Sequence, residues 1–327
     1  MLVPPGRYGR WWAALIILVA GAALFGAAAV QIVRHPAYNG QFPWSIPVFF
    51  TCAVAYIVPM FHFITRRTHQ CLDTLEPYVA SPRRRAELRA AIDRRSLAWT
   101  LRSAGAASAL WLVQSRLLSG SWENVWTGLT ANFASGVFAI GPLFVWLTMY
   151  VAMSALVQNA LTFRRLVPDL ETDIFEPESY MPVGSMAVTS TLVSLGGMAL
   201  MSIMWLGGPI DWWTTLPGLV IFAPFVVLLL LLPVWPLHRK LLAQRKAEVQ
   251  DAQRVLRRAR EPKVHDDAAL ARQAAALSLR REVARLPVWP FDVGAVFRFI
   301  GYAVIVPLTW AGAALIEMLV NAVVEAS

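Results

Sequence analysis

Residues 226–261 read VVLLLLLPVWPLHRKLLAQRKAEVQDAQRVLRRARE, an aliphatic run that passes directly into a charged segment. The first seven residues are Val or Leu, which suits the hydrocarbon core of a bilayer. Residues 238–261 contain no Pro or Gly, so a helix can continue through them without a break. Apolar residues recur there at an a/d spacing, as Leu242, Val249, Ala252 and Leu256. The pattern predicts one helix that leaves the membrane and continues into water.

The whole chain has the composition of a helical membrane protein. Of its 327 residues, 57% are apolar and only 15% are charged, against about 25% charged residues in an ordinary soluble domain. The mean hydropathy is +0.53. The net charge is nonetheless +9, so the charges must be segregated from long apolar stretches. This combination excludes a secreted disulfide scaffold, a disordered tail and a typical soluble enzyme.

Seven apolar stretches reach the length of about 20 residues that a membrane-spanning helix needs. They cover residues 11–31, 44–64, 97–118, 124–158, 186–206, 212–237 and 291–324. The third stretch is the weakest, because it contains Arg102 and Arg116. We therefore predict an all-α, multi-pass membrane protein with seven transmembrane helices and cytoplasmic helical extensions.

Basic residues are distributed unevenly between the two sides of this arrangement. If the N-terminus is cytoplasmic, residues 66–96, 159–184 and 238–286 lie inside and hold 23 of the 29 Lys and Arg residues. Cytoplasmic loops carry the excess of basic residues in membrane proteins. We therefore predict an internal N-terminus, an external C-terminus and a location in the cell (inner) membrane.

The chain divides into three predicted parts. They are a six-helix transmembrane bundle with its cytoplasmic loops (1–237), a cytoplasmic helical hairpin (238–286) and the last transmembrane helix (287–327). The hairpin is inferred because Glu261-Pro262 ends one helix and Asp266-Asp267 can cap the next. Burial of the a/d stripe between subunits would make this hairpin the surface for assembly into a homo-oligomer.

Motifs for catalysis or metal binding are missing from the sequence. We find no Walker A loop and no GxGxxG, HExxH or GxSxG pattern. His62 and His69 share a helix face, but no adjacent carboxylate completes a metal site there. We therefore expect no enzymatic activity, no catalytic residues, no cofactor and no bound metal.

Two explanations fit the runs of basic residues in the predicted cytoplasmic segments. Runs such as residues 83–85 and 257–258 can bind anionic lipid head groups, or they can simply follow from the inside-positive topology. Nucleic-acid binding is not expected, because the aromatic residues that should alternate with the basic ones lie in the predicted spans instead. Membrane lipids are thus the expected partners of these runs.

The architecture as a whole resembles the seven-transmembrane ion-channel superfamily that is typified by insect odorant and gustatory receptors. The similar features are the internal N-terminus, the sixth span that continues as a cytoplasmic helix, and the last span that ends almost at the C-terminus. The resemblance covers nearly the whole chain and rests on architecture. It implies four subunits joined by a cytoplasmic anchor, a central cation pore lined by the last spans, and a ligand pocket in the outer halves of the earlier spans.

The last span carries a stripe of small and polar residues at successive steps of four, which suits a pore. With a hydrophobic constriction before it, the predicted pore lining is Val304, Ile305, Thr309, Ala313, Glu317 and Asn321. In a tetramer Glu317 would form a ring of carboxylates that attracts cations. A position of Glu317 at the head-group level, or an ion pair with Arg116, fits the sequence equally well.

An outer ligand pocket is predicted where aromatic residues of neighbouring spans lie at similar depth. Its predicted lining is Trp111, Trp126, Phe133, Met201, Trp205 and Trp213. An interfacial aromatic belt is the alternative explanation for the same residues. The sequence therefore predicts an oligomeric, by resemblance tetrameric, cation channel gated by a small ligand. The alternatives are a non-conducting sensor or scaffold that acts through its cytoplasmic helices, or a transporter of lipid or solute.

Overall fold

The computed structural model describes residues 9–34, 44–79, 81–93, 97–205, 212–258, 267–286, 288–291 and 293–326. Within these ranges the chain forms ten α-helices, which are joined by turns and short 3-10 segments. The helices are α1 (Gly9–Val33), α2 (Ser45–Leu75), α3 (Pro82–Asp93), α4 (Leu97–Ser119), α5 (Trp122–Thr130), α6 (Phe133–Leu166), α7 (Met181–Ala199), α8 (Trp212–Arg258), α9 (Asp267–Arg285) and α10 (Val293–Ala326). The prediction of an all-α chain is confirmed.

Five helices of the described chain are long and apolar enough to cross a membrane, namely α1, α2, α6, α7 and α8. The protein therefore has the character of a multi-pass membrane protein. The third and seventh predicted spans correspond to α4 and α10, which have 23 and 34 residues and are not among these five. In α4, Arg102 and Arg116 lower the hydropathy.

The single helix predicted over residues 124–158 is wrong, because two helices occupy this stretch. α5 ends at Thr130 and α6 begins at Phe133. Asn132 caps α6 by accepting a hydrogen bond from Ser135 N at 2.8 Å, and Ser135 Oγ accepts one from Asn132 N at 3.2 Å. This reciprocal pair satisfies backbone donors that a helix start leaves without partners.

The fifth predicted span, over residues 186–206, also has different bounds. α7 begins at Met181, with Pro182 in its first turn, where a proline costs no helical hydrogen bond. It ends at Ala199, and the tighter 3-10 segment Leu200–Trp205 follows it. The change from α to 3-10 geometry shifts the direction of the side chains after Ala199.

The best-packed region lies at the end of the bundle where α8 and α9 pack against each other as a hairpin. We call this region the base. It combines residues of α2, α3, α6, α7, α8 and α9 with the segment between α6 and α7. Its fully buried side chains include Leu75, Phe163, Leu166, Leu170, Tyr180, Leu237, Leu241 and Val283. Such burial of apolar side chains is the main favourable contribution to the stability of this end.

Polar contacts attach the segment between α6 and α7, residues 167–180, to its neighbours in the base. Arg84 of α3 donates to Asp169 Oδ2 at 2.8 Å, and the carboxylates of Asp169 and Glu87 raise the pKa of Arg84. The Lys240 ammonium group of α8 donates to the carbonyl oxygens of Val167, Pro168 and Leu170, at 3.1, 3.3 and 2.5 Å. The segment is therefore held by α8 mainly through its backbone.

A short elbow, residues 288–291, precedes α10 and is clamped to α8. The Trp289 ring stacks on the His238 ring with 4.1 Å between the centroids. His238 Nδ1 is also 3.0 Å from the carbonyl oxygen of Val288. These contacts fix the point at which the last helix leaves the base.

Candidate ligand cavity between the helices

The helix bundle surrounds a cavity of about 380 Å³, which we call the central cavity. Its walls come from α2, α4, α6, α7, α8 and the segment Leu200–Trp205. It extends from Ile64 and Asn159, near the base, to Ile46 and Leu118. Pockets for small molecules have volumes of about 300–1,000 Å³, so the central cavity has the size of a site for a small ligand.

Methionines and aromatic residues make up a large share of the cavity wall. Its methionines are Met60, Met149, Met153, Met201 and Met204, and its aromatic residues are Phe49, Phe50, Tyr56, Phe61, Phe138, Trp146 and Phe225. Methionine is unbranched and polarizable, so it adapts its shape to an irregular neighbour. A wall of this kind suits an apolar ligand and tolerates variation in the ligand's shape.

The polar side chains of the wall are largely engaged with the protein itself. The Tyr56 hydroxyl donates to the carbonyl oxygen of Val193 at 2.8 Å. Asn159 Nδ2 donates to Thr68 Oγ1 at 3.2 Å, in the buried part of the wall. These bonds satisfy groups that would be costly to bury without partners, and they leave the cavity with few groups for a ligand.

Gln114 is a polar residue of the wall that keeps a donor for a ligand. Its Oε1 accepts a hydrogen bond from Trp146 Nε1 at 2.6 Å, which fixes the orientation of the amide. No described residue accepts a hydrogen bond from its Nε2 group. The cavity therefore matches a molecule with an apolar body and one hydrogen-bond acceptor.

The predicted outer pocket is not formed as one site. Met201 lines the central cavity, whereas Phe133 lines a separate groove between α1, α2 and α6. The Trp111 indole donates to the carbonyl oxygen of Ala139 at 3.1 Å, and Trp126 is 69% exposed. The side chains of Trp205 and Trp213 lie outside the described residues. Of the predicted set, the structure thus brings only Met201 to the central cavity among the side chains that it describes.

The sequence does contain a signal for the central cavity, which the sequence-based prediction did not use. This signal is the spacing of the methionines that line the cavity. Met149 and Met153 are four residues apart on α6, and Met201 and Met204 are three apart on the 3-10 segment. Each spacing places two flexible side chains on one face of its helix. The aromatic residues were the more conspicuous pattern, but several of them lie on the outer surface.

The predicted pore lining lies on one continuous helix, α10. Val304 and Ile305 are exposed, and Thr309 is partly buried. The side chains of Ala313, Glu317 and Asn321 lie outside those that the structure describes. Because the helix is unbroken, steps of four residues keep Thr309 and these three positions on the same side.

The predicted oligomerisation stripe is partly used within one chain. Ala252 is buried, and Val249 packs against the apolar cluster of the base. Leu242 and Leu256 are partly buried. The last of these lies farthest along α8 from the bundle.

Metal binding was not expected, and the described residues contain no group of three His, Cys, Asp or Glu side chains arranged to hold a metal ion. The chain gave no match when we compared it with protein-family models, with curated proteins and with solved structures. The features that bear on function are therefore the central cavity and its connection to α10.

Proposed function

We propose that the protein is a homotetrameric cation channel that opens when a small apolar ligand binds in the central cavity. The supporting observation is an apolar cluster shared by the cavity wall and α10. The buried cluster consists of Leu195, Met198 and Val226, and Phe299 of α10 packs against it. Met149, Met153 and Met201 pack against the same cluster. These last three methionines also line the cavity. A ligand that displaces them would move the support of Phe299.

The packing and the exposed surface of α10 support assembly around this helix. It packs chiefly on α7 and on the segment Leu200–Trp205. Large apolar side chains are exposed along its length, namely Phe297, Ile300, Leu308, Leu315, Ile316, Met318 and Leu319. A helix with this surface suits contact with lipid or with other membrane helices. Four copies of α10 around a common axis would enclose a path across the membrane.

We extend the five spans to seven by adding α4 and α10. With the N-terminus inside and the C-terminus outside the cell membrane, the base and the α8–α9 hairpin lie in the cytoplasm. This arrangement puts the basic residues of α3 and α9 on the side that the inside-positive rule requires. The same basic surfaces would then lie near the anionic head groups of the inner leaflet.

The conduction path in this proposal follows the stripe Thr309, Ala313, Glu317 and Asn321. A ring of four Glu317 carboxylates near the outer mouth would attract cations and repel anions. Val304 and Ile305 would close the resting path, because a narrow apolar constriction loses its water. Movement of Phe299, which precedes this constriction by about one turn and a half of helix, would widen it.

The chemistry of the cavity defines the ligand class. A small molecule with an apolar body and one carbonyl, ether or hydroxyl oxygen would bury its body against the methionines and accept a hydrogen bond from Gln114 Nε2. Removal of apolar surface from water would supply most of the affinity, at about 25 cal/mol per Å². The hydrogen bond would orient the ligand rather than provide the affinity.

The experiment is to record currents from the purified protein in planar bilayers while small apolar ketones and alcohols are added. We expect ligand-dependent cation currents, a weaker cation preference in Glu317→Gln, and reversed or abolished preference in Glu317→Lys. Glu123→Gln, which removes a carboxylate from α5, is the matched control and should leave selectivity unchanged. Absence of current from a protein that still binds these molecules would refute the channel.

A non-conducting sensor or scaffold is the second candidate, and the hairpin gives the reason. Val255 of α8 and Leu277 and Leu279 of α9 are exposed apolar side chains on a segment rich in charge. Such residues suit docking of a cytoplasmic partner. Ligand binding without conductance would favour this function, and ligand release on the opposite side of the membrane would favour a transporter.

A further inference from the structure

A second apolar space, the lateral groove, lies beside the central cavity. It is formed mainly by α1, α2 and α6, together with the end of α5 and the turn that follows, and has a volume of about 790 Å³. The three main helices are long and apolar enough to span a membrane, so the open side of the groove would face lipid hydrocarbon. Its polar residues, Thr51, Thr130 and Asn132, are few, and all three side chains make hydrogen bonds within their own helices or caps.

Glycines allow the three helices to approach one another along this groove. A Cβ added at Gly21 of α1 would lie 2.6 Å from Thr51 Cγ2 of α2. A Cβ added at Gly141 of α6 would lie 2.8 Å from a ring carbon of Phe50 and 3.2 Å from one of Phe25. The rings of Phe25 and Phe50 therefore occupy space that a larger residue at position 141 would take.

Phe50 is the common wall of the two spaces. It lines both the central cavity and the lateral groove, and only 6% of its surface is exposed. Phe25, on the groove side, lies 5.9 Å from Phe50 between ring centroids, and 5.8 Å from Phe138 on the cavity side. One layer of three aromatic rings thus lies between the lateral groove and the central cavity.

We propose that the lateral groove is the entry route of the ligand, and that Phe25, Phe50 and Phe138 form its gate. The ligand would be a small apolar molecule dissolved in the bilayer, which collects in the groove and reaches the central cavity when the Phe50 ring turns. Apolar molecules concentrate in hydrocarbon, so a lipid-facing entrance samples them at a higher concentration than one facing water. The inference rests on the proposed function only in taking the central cavity as the ligand site.

Photolabelling in lipid nanodiscs tests the gate without any measurement of current. The probe is a small aryl trifluoromethyl diazirine, which dissolves in the bilayer and inserts into nearby side chains on illumination. Peptide mass spectrometry then compares labelling of Met149 and Met153 in the cavity with labelling of Ile140 in the groove. Phe50→Ala should raise the ratio of cavity to groove label several-fold, and Phe50→Trp should lower it.

Phe144→Ala is the matched control, since Phe144 lines the groove on α6 but does not line the cavity. It should leave the cavity label within error of the unmodified protein. If Phe50→Ala does not fold, Phe25→Ala removes a second ring of the same gate and should raise the ratio as well. Equal cavity labelling in all variants would overturn the proposal, and so would equal labelling by a charged, water-soluble diazirine. Either result can occur whether or not the protein conducts.

Discussion

The α-carbon of Gly184 in α7 lies against the backbone carbonyl of Pro290 in the elbow before α10. An added Cβ at Gly184 would overlap the Pro290 oxygen atom. The contact is between two backbones, so no side-chain rotation can relieve such an overlap. Together with the stacking of Trp289 on His238, this approach holds the start of the last helix against both α7 and α8.

Gly184→Ala should therefore destabilise the protein. Overpacking of a buried site costs about 1–3 kcal/mol, and here backbone must move to accept the methyl group. Gly105→Ala is the control, because a Cβ there meets nothing within 4 Å and alanine favours the helix by about 0.5–1 kcal/mol. Thermal unfolding followed by circular dichroism in detergent measures both. Equal melting temperatures for the two variants would show that the elbow does not pack on α7.

Lys240 is predicted to anchor the segment after α6. Lys240→Met keeps the length of the side chain but removes the donor to three backbone carbonyls, two of them in part-buried hydrogen bonds and one in an exposed hydrogen bond. A buried acceptor left without a partner costs about 1–3 kcal/mol, and access of water to these carbonyls lowers that cost. Amide hydrogen exchange over residues 167–172 should become faster, and the melting temperature should fall. Lys246→Met, two turns along α8 at an exposed position, should change neither. Unaltered exchange in Lys240→Met would assign the segment's order to its other contacts, which include the bond from Arg84 to Asp169 and the buried apolar side chains.

The topology can be tested with single cysteines in a background where Cys52 and Cys71 are replaced. Cysteines at Arg34 and Trp122 should react with a membrane-impermeant maleimide in intact cells, because both positions lie on the external side in the proposed topology. A cysteine at Gln253 should react only after the membrane is made permeable. The reverse pattern would invert the topology and place the base and hairpin outside.

Periodicity and charge predicted the helices better than they predicted where helices stop. The sequence predicted a continuous helix α8 and a separate helix α9, because a stretch without Pro or Gly ends at Glu261-Pro262, which breaks a helix. The sequence did not predict the break between α5 and α6, because this break depends on two side chains, Asn132 and Ser135, inside an otherwise apolar stretch. Hydropathy averages over about 20 residues and does not resolve a cap.

The cavity was harder to predict than the helices for a related reason. The sequence shows which residues are apolar, but not which face of α6 meets α2 rather than lipid. Phe133 and Trp126 look like pocket residues by composition, yet both are more than half exposed. Phe50 and Met149 are ordinary core residues by pattern, and only the packing of several helices places them around one cavity. Whether an apolar side chain lines the cavity or lies on the outer surface depends on the neighbouring helices and not on the local sequence.

Assembly through the hairpin predicts different effects for two adjacent residues of α8. Leu256 belongs to the a/d stripe and is partly buried, whereas Val255 is off the stripe and 42% exposed. Leu256→Asp should convert the oligomer to monomer, since it puts a charge into an apolar contact, and Val255→Asp should not. Native mass spectrometry in detergent gives the mass of each species. We choose Leu256 because Val249 also packs against the base of its own chain, so that a charge there would disturb folding as well.

Phe299 is predicted to carry the effect of the ligand from the cavity to α10. Phe299→Ala removes the ring that packs against the cluster of Leu195, Met198 and Val226, against which the methionines of the cavity wall also pack. Ligand binding should persist, because Phe299 does not line the central cavity, while ligand-dependent current should fall at least tenfold.

Phe297→Ala is the control on the same helix, since Phe297 is 71% exposed and lies outside this cluster. Binding is measured by ligand-dependent thermal shift, and current by bilayer recording of the same preparation. Loss of binding in Phe299→Ala would make the residue part of the ligand site, and unchanged gating with unchanged binding would move the coupling to another part of α10.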